Sequence, residues 1–475
     1  MVAMSLEPKE SLAVFRTSQG VEIRATLLRF TRHLVVLELY NPECVLQTSE
    51  VLSEFKIIWN ARTLYSGRAL VRNLMHTGLV TVCEASLDDS WLDVDFSVFG
   101  DLAATLGVQF KDFIQEWQKL YRVAPEYKVV VADLQTFLTE VRLWLEQVEL
   151  GIRASPAGDR MQLERDVARQ LAQSVVPAIT NLFERFEVVS EHIDEELQPA
   201  HHAFGKRQLH SLLLCSPFVY RTFQKPLGYA GDYEMVNMMF REPYEGGSLF
   251  AKMINTYALQ LPPIIAHRNR IGYLVDRLTE ETLRVARQNR VAKVFNLGCG
   301  PAQEIQGFLA KDGLCERVDF TLADFNEETI AHTTKVLGDL KKGYGRNTRI
   351  QLVRKSVQQI LKQADRVIHR SAAEQYDFVY CAGLFDYLSD KVCRRLMDIL
   401  YAMLAPGGLL LATNVDAHPA RGEMECFLEW HLVQRNATQM MSLAPVAARR
   451  DDIGMKHDAT AVNVLMEVRK PNGET

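Results

Sequence analysis

Hydrophobic and polar residues alternate along this chain with a period that changes twice. Between about 11 and 96 the period is two: Val21, Ile23, Ala25 and Leu27 fall on every second position. Further short runs at 34–40, 55–59, 64–71 and 79–83 are rich in β-branched and aromatic residues, and Asn41-Pro42, Ser66-Gly67 and Thr77-Gly78 punctuate them. A half-buried strand presents alternate side chains to a core, so this stretch predicts a small antiparallel barrel or sandwich. From about 101 to 198 the spacing becomes three and four. Val130, Leu134, Phe137, Leu138, Val141, Leu145 and Val148 mark one helix over 127–150. After a break at 151–158, Leu163, Val167, Leu171, Val175, Ile179, Leu182, Phe186, Val189 and Ile193 mark a longer one. Pro177 inside the second predicts a kink or a break. These stripes fit packing within a helix bundle, with a coiled-coil-like dimer contact as the alternative.

Over the last third the two periods interleave. Strands are expected at 294–297, 318–323, 350–353, 376–381, 408–413 and 461–468. Helices are expected between them at 303–309, 327–340, 357–363, 390–403 and 423–433. Regular β-α alternation predicts a doubly wound, Rossmann-like, mostly parallel sheet, with ligands at the carboxyl ends of its strands. The chain is thus read as multidomain: an antiparallel β-barrel over 1–100, an α-helical bundle or lid over 101–225, and an α/β domain with a helical cap over 226–475.

The strand at 294–297 runs into Gly298-Cys299-Gly300-Pro301-Ala302 and then a helix. Glycines at that turn allow positive φ and close approach of a ligand to backbone, and the following helix would aim its free N–H groups at the same space. A dinucleotide loop would carry a third glycine three residues after Gly300, and Gln303 stands there, which argues against NAD and FAD. Asp324 ends the next strand, where a carboxylate can accept hydrogen bonds from a ribose diol. The segment 226–235 gathers Gly228, Tyr229, Gly231, Asp232 and Tyr233, which reads either as a ligand-facing loop or as a helix-to-helix connection. His267, Arg268 and Arg270 open a helix and could face an anion or solvent.

Composition sets bounds on this picture. The chain has 475 residues, 48% hydrophobic and 24% charged, with a formal net charge of −5, which gives no global pull toward nucleic acid or anionic membrane. The eight cysteines form no C-x-x-C pair, so no zinc site of that spacing is expected and no metal is assigned; their scatter suits reduced thiols in the cytoplasm. The first ten residues lack an apolar signal-peptide core, and no apolar run is long enough to span a bilayer.

The strand order at the amino end resembles a PilZ domain, the bacterial module many of whose members bind cyclic di-GMP. Arg16 stands alone where that family has an arginine-rich start, and Arg29-Phe30-Thr31-Arg32-His33 carries no Asn/Asp-x-Ser-x-x-Gly turn. Cyclic di-GMP binding is therefore not expected, and a docking or dimerisation module is. The glycine loop, Asp324, the strand Tyr376-Asp377-Phe378-Val379-Tyr380-Cys381 and the turn Leu404-Ala405-Pro406-Gly407-Gly408 follow in the order of a class I S-adenosylmethionine-dependent methyltransferase, which they closely resemble. That resemblance implies S-adenosyl-L-methionine as cofactor. By it, Gly298, Gly300 and Pro301 would meet the methionine and ribose part, Asp324 the ribose hydroxyls and Phe325 the adenine. Ser356 and Val357 would border the adenine edge, Cys381 and Ala382 the sulfonium, and Tyr229 and Asp232 would lie over the cofactor. Asn296 stands where the family has Asp or Glu for the ammonium group, and Asp232 or Asp377 could supply the missing acid. The segments Gly228-Tyr229-Ala230-Gly231-Asp232-Tyr233 and Ala266-His267-Arg268-Asn269-Arg270-Ile271 and the tail 458–463 also resemble a bacterial group of methyltransferases described as making the methyl ester of 3-hydroxypalmitic acid.

The expected activity is methyl transfer to a small molecule, most simply to the oxygen of a carboxylic acid or hydroxyl group. A carboxylate acceptor needs a clamp, from Arg268 or Arg270. A hydroxyl or amine needs a base, from His267, Asp386 or His431. Methylation of a protein is one rival, and a sensor or scaffold that binds cofactor or nucleotide without turnover is another. A homodimer through the helical or barrel region is expected, and nucleic acid is not expected as a partner.

Overall fold

In the computed structural model, residues 11–31, 33–39, 45–59, 62–77, 80–88, 123–156, 160–311, 313–363 and 375–472 are described. Asn41-Pro42, Gly78 and the start of the helical region at 101–122 lie outside them.

The amino-terminal strands are β1 (Ser11–Arg16), β2 (Glu22–Phe30), β3 (Leu34–Leu39), β4 (Val51–Trp59), β5 (Arg62–Thr77) and β6 (Val80–Leu87). They close into an antiparallel barrel in the order β1-β2-β3-β6-β5-β4. The period-two residues do the closing. Ala13, Phe15, Ile23, Ala25, Leu27, Val35 and Leu37 all point inward and are buried, and Phe15 stacks on Phe55 at 5.5 Å. Closure leaves no edge strand, so the six-stranded sheet is a barrel and not a sandwich.

The helical region begins with α1 (Pro125–Ala154) and α2 (Arg160–Ser190), followed by α3 (Gln198–Leu213), α4 (Pro217–Gln224), α5 (Tyr233–Phe240) and α6 (Leu249–Ala258). Their shared core runs from Val123 through Ile264 and takes in Ala420–Trp430 from much later in the chain. Helix α2 continues unbroken through Pro177. Pro177 and Gln173, whose carbonyl loses its helical partner to the proline, are both exposed, so water can satisfy that group.

The sheet domain is entered by α7 (Pro262–Ala286) and comprises β7 (Ala292–Leu297), α8 (Gln303–Lys311), β8 (Val318–Asp324), α9 (Glu327–Gly343), β9 (Arg349–Arg354), α10 (Val357–Lys362), β10 (Tyr376–Cys381), α11 (Asp390–Ala402), β11 (Leu404–Val415), α12 (Arg421–Phe427), α13 (Ala437–Met441), β12 (Ile453–His457) and β13 (Asn463–Arg469). Strand order is β12-β13-β11-β10-β7-β8-β9. β11, β10, β7, β8 and β9 run parallel. β13 inserts antiparallel beside β11, and β12 pairs antiparallel outside it. From β7 the chain goes outward to β8 and β9, then returns to the other side for β10 and β11. The crevice at that reversal is where a sheet of this kind holds its ligand.

Two local readings change. Strand β12 was not expected. It is a short edge strand of five residues, with Ile453 and Met455 half-buried and Gly454 and Lys456 exposed. The helix expected to reach Val433 stops at Phe427, because Glu429 takes a left-handed φ of 50° and the chain then runs on without helix across the top of the sheet.

Candidate functional site

One cavity opens at the carboxyl ends of β7, β8, β10 and β11. Its floor is the glycine loop. Gly298 (φ 74°) and Gly300 (φ 48°) both take left-handed backbone, as does Ala302 (φ 52°). A Cβ on Gly300 would meet no atom within 4 Å, so this backbone faces open space. The loop is pinned from outside. Gly298 and Cys299 donate to the carbonyl of Ala323 at 2.8 and 3.1 Å, and Thr333 Oγ1 donates to the carbonyl of Gly300 at 2.7 Å.

Asp324, at the end of β8, is buried and lines the cavity. Its Oδ2 accepts from Gly300 N at 3.1 Å and its Oδ1 from Asn326 N at 3.0 Å. Each oxygen keeps a lone pair for a further donor, and burial holds the carboxyl above its usual range. Phe325 follows, with the ring of Tyr229 tilted against it at a centroid distance of 4.9 Å. Tyr229 OH reaches Thr329 Oγ1 at 3.5 Å. The segment 228–233 therefore does arch over this end of the cavity, with Tyr229, Ala230, Gly231 and Tyr233 in the lining.

Asp232 is not in the lining. Its Oδ1 caps α5 by accepting from Glu234 N and Met235 N at 2.9 Å each, and it also takes Arg221 Nε at 3.0 Å. Its work is to hold the arch in place. Ser356 likewise caps α10 through a reciprocal bond with Gln359 and stays outside the lining, whereas Val357 is in it. Strand alternation separates Cys381 from its neighbours: Tyr380 and Ala382 reach the cavity, and Cys381 is fully buried on the opposite face against α11. Asp377 sits at the far end of β10, bonded to Arg290 and to Lys293 N at 2.9 Å each.

The acid nearest Asn296 is Glu304, on the first turn of α8. Asn296 Nδ2 donates to Glu304 Oε1 at 3.1 Å and Tyr380 OH donates to the same oxygen at 2.7 Å. Asn296, Glu304 and Tyr380 all line the cavity, and all three are buried. Asn296 Oδ1 is buried without a partner, which leaves a carbonyl oxygen seeking a donor beside a carboxylate. Glu304 was missed because it lies outside the strand-end motif. Its signal in the sequence is an acid one turn into the helix behind a glycine loop whose own acid is missing.

Across β7, at the ends of β10 and β11, the lining changes to His267, Arg270, Asp386, Tyr387, Val415, Trp430, Leu432 and Asn463. Arg270 is 5% exposed. Its Nη2 donates to His267 Nδ1 at 2.7 Å, and its Nη1 lies 3.8 Å from Asp386 Oδ2. Because a guanidinium can only donate, His267 Nδ1 must be the acceptor and Nε2 carries the proton. Burial, Arg270 and Arg268 all push the His267 pKa well down, so the ring is neutral, and its Nε2 is buried without a partner. Gly383 makes room for this arrangement: its φ is +92°, and a Cβ there would come within 2.7 Å of Arg270 Nη2.

Asp386 is held by Val415 N, which donates to Oδ1 at 2.7 Å, and burial raises its pKa against the opposing pull of Arg270. Asn463 donates to the carbonyl of Ala266 at 2.8 Å and keeps its Oδ1 unpartnered. Arg268 lies outside the lining, its guanidinium spent on the carbonyls of Met239 and Leu259 at 2.7 and 2.8 Å. His431 also lies outside it, its backbone held by Ser49. Among the described residues no cluster of His, Cys, Asp and Glu could hold a metal ion, and the described cysteines are free thiols.

Residues 266–448 match the family model described as a methyltransferase domain. Among solved structures, a possible exported protein from Bordetella parapertussis is 18% identical, with 63% of this chain and 97% of that one covered at a TM-score of 0.40. Magnesium protoporphyrin IX methyltransferase from Synechocystis PCC 6803, with bound S-adenosylhomocysteine, is 10% identical over 43% of this chain and 84% of that one at a TM-score of 0.31. An O-methyltransferase family protein from Burkholderia thailandensis is 11% identical over 60% and 75% at 0.32. No curated protein matches the sequence. Residues 266–448 therefore carry a methyltransferase domain, built on the sheet described above.

Proposed function

We propose that this methyltransferase acts on a small molecule and methylates oxygen, most simply that of a carboxylic acid, with a hydroxylated fatty acid of the 3-hydroxypalmitate kind as the leading acceptor. The observation that carries this reading is Arg270. Its guanidinium is buried in the lining with an unpartnered Nε, and apolar Val415, Trp430 and Leu432 lie beside it. Its carboxylate neighbour, Asp386, stands 3.8 Å off, which leaves the Nε edge of a buried guanidinium to attract an anion. A carboxylate acceptor arrives already ionised, so the site needs no base, and the neutral, Nδ1-bound His267 offers none there.

S-Adenosylmethionine, when bound, supplies an electrophilic methyl group on a sulfonium. The residues fit it. Asp324 keeps lone pairs for a ribose diol, Phe325, Tyr229 and Val357 offer apolar surface to adenine, and Gly298, Gly300 and Pro301 expose backbone. Asn296 and Glu304 form a carbonyl-carboxylate pair suited to an ammonium group. Ala382 borders the space between these groups and Arg270. In this reading Asp232, Ser356, Cys381 and Arg268 act by shaping the walls. His267 positions Arg270, and Asp386 positions it from the other side. A hydroxyl acceptor is the second reading, favoured by Asp386, whose raised pKa makes it a better proton acceptor than an ordinary aspartate.

The barrel is PilZ-like in strand pattern and serves docking without binding a cyclic dinucleotide, since Arg16 is paired with Glu54 at 3.3 Å. A homodimer fits the exposed Val129, Leu143, Trp144 and Leu150 on α1. No described helix is long and apolar enough to cross a membrane, consistent with the cytoplasmic location proposed here.

The test is cofactor consumption, followed as S-adenosylhomocysteine release, with hydroxylated and plain fatty acids, aromatic acids, alcohols and peptides. Turnover confined to acids, and lost on Arg270→Met with cofactor binding retained, is the expected result. Tight S-adenosylmethionine binding with no turnover on any acceptor would favour a sensor. Methylated peptides would favour a protein substrate.

A further inference from the structure

We propose that the amino-terminal barrel forms one wall of the methyl-acceptor chamber and helps decide which acceptors fit, through the side-chain amides of Gln19 and Gln47. This rests on reading the cavity as a methyltransferase site. The cavity runs across the sheet. Over β8 and β7 lie Asp324, Phe325, Gly298 and Gly300, the groups that suit the cofactor. Over β10 and β11 lie Arg270, Asp386, Tyr387 and Val415, and Gln19 and Gln47 join the lining from a different fold unit altogether.

The contacts place the barrel segment at the β10 and β11 end. Thr48 N, next to Gln47, donates to the carbonyl of Tyr387 at 3.0 Å. Ser49 Oγ donates to the carbonyl of His431 at 2.8 Å. Val51 N donates to the carbonyl of Gly228 at 2.8 Å, directly before the arching Tyr229. Tyr387 is tied in turn to Trp430, whose Nε1 donates to its hydroxyl at 3.0 Å. Three separate pocket-forming segments thus hang on three residues of one short stretch, Thr48, Ser49 and Val51.

A single buried acid makes this segment rigid. Glu50 accepts from Ser18 N at 2.8 Å, Ser18 Oγ at 2.7 Å and Gln47 N at 2.9 Å, so it locks the β1–β2 turn that carries Gln19 to the strand entry that carries Gln47. Gln47 is 6% exposed and lines the cavity. A carboxamide in a cavity wall carries both donor and acceptor groups, which suits an uncharged polar oxygen or nitrogen, such as a hydroxyl or carbonyl on the acceptor. Arg270 would hold a charged end while the barrel amides read the neutral part.

Binding alone can test this, without knowing the acceptor. The probes are S-adenosylhomocysteine and an S-adenosylmethionine analogue carrying benzyl in place of the transferred methyl, which extends into the acceptor chamber. Both are titrated calorimetrically into the full-length chain. Gln47→Trp should weaken the benzyl analogue at least about 10-fold while S-adenosylhomocysteine changes less than about 2-fold. Gln47→Ala and Gln19→Ala should shift the ratio of the two affinities the other way, and they cover the case in which the tryptophan variant does not fold. Glu22→Ala, at an exposed position of β2, should leave the ratio unchanged. A ratio that stays constant in all the glutamine variants overturns the proposal, as does equal weakening of both probes. Failure of the unmodified protein to bind S-adenosylhomocysteine would instead overturn the cofactor reading beneath it.

Discussion

At the end of β7, Asn296 stands beside Glu304, a buried acid on the first turn of α8. Asn296 and Tyr380 both donate to Glu304 Oε1, so the carboxylate is already stabilised by two hydrogen bonds while burial pushes its pKa up. A ligand ammonium would complete the set and favour ionisation. Glu304→Gln should therefore weaken S-adenosylhomocysteine by about 10- to 100-fold, the range of one charged hydrogen bond at about 1.5–3 kcal/mol. It should leave 5′-methylthioadenosine, which lacks the amino-acid part, bound as before. Equal losses for both compounds would mean that Glu304 only supports the loop. The sign with pH follows. Because free Glu304 has a raised pKa, affinity for the ammonium-bearing ligand should fall as pH drops through that raised value, and Glu304→Gln should flatten the dependence. Gly383 gives a second single-residue test. Gly383→Ala forces a side chain against Arg270 at a positive φ, so turnover should fall at least about 10-fold with S-adenosylhomocysteine affinity nearly unchanged.

At the scale of elements, periodicity told most where one face alone is buried. β10 matches its expected bounds, and the barrel strands were legible because alternate residues go inward. Asp324, Gly298 and Gly300 lie in the cavity lining, as their positions at strand ends led one to expect. Side-chain direction within a strand end was harder. Cys381 and Ala382 look equivalent in sequence, yet the pleat sends them to opposite faces. Asp232 and Ser356 misled for another reason: residues that can bind a ligand are also the best helix caps, and capping won. The distant partnership of α2 and α12 had no local signal at all. Glu187 of α2 accepts from Gly422 N and Glu423 N at 2.8 and 2.7 Å, capping α12 from another part of the chain. Burial raises its pKa to about 7, and Glu423, buried beside it, is also held well above the usual range. Since folding raises these pKa values, their stabilising contribution is complete below the unfolded value near 4.5 and is lost as pH rises through about 7. Thermal stability should decline as pH rises from about 4.5 through about 7, and Glu423→Gln should make that decline shallower by removing one of the two acids. A steeper or unchanged decline in the variant would rule out this coupling.

For the molecule as a whole, the question is whether barrel, helices and sheet behave as one unit. Glu429 is where they meet. It sits at the strained turn after α12 with its carboxylate 8% exposed, taking Lys206 Nζ from α3 at 2.6 Å and Arg68 Nη2 from barrel strand β5 at 3.4 Å. Lys206, Lys225 and Arg68 together overcome burial and lower its pKa to about 2. Lys225 is buried nearby, its Nζ donating to the carbonyl of Leu428 at 3.0 Å, and burial lowers its pKa to about 7. Removing this acid leaves Lys206 and Lys225 close together with little water, while Arg68 keeps its pairing with Asp88 at 2.7 Å. Glu429→Ala should cost about 3 kcal/mol or more, as for breaking a buried ion pair, and most of that loss should fall on barrel attachment. Calorimetry should then show an early transition for the barrel in place of a single cooperative melt. Replacing Lys206 with Met in the same background should recover part of the loss, because it removes the uncompensated charge. Since the barrel segment 47–51 also holds the loops at Gly228, Tyr387 and His431, the same variant should loosen the acceptor side of the cavity while the glycine loop, pinned within the sheet by Ala323 and Thr333, keeps its affinity for S-adenosylhomocysteine. Parallel loss of cofactor binding and stability would show that the two sides of the cavity are not separately supported.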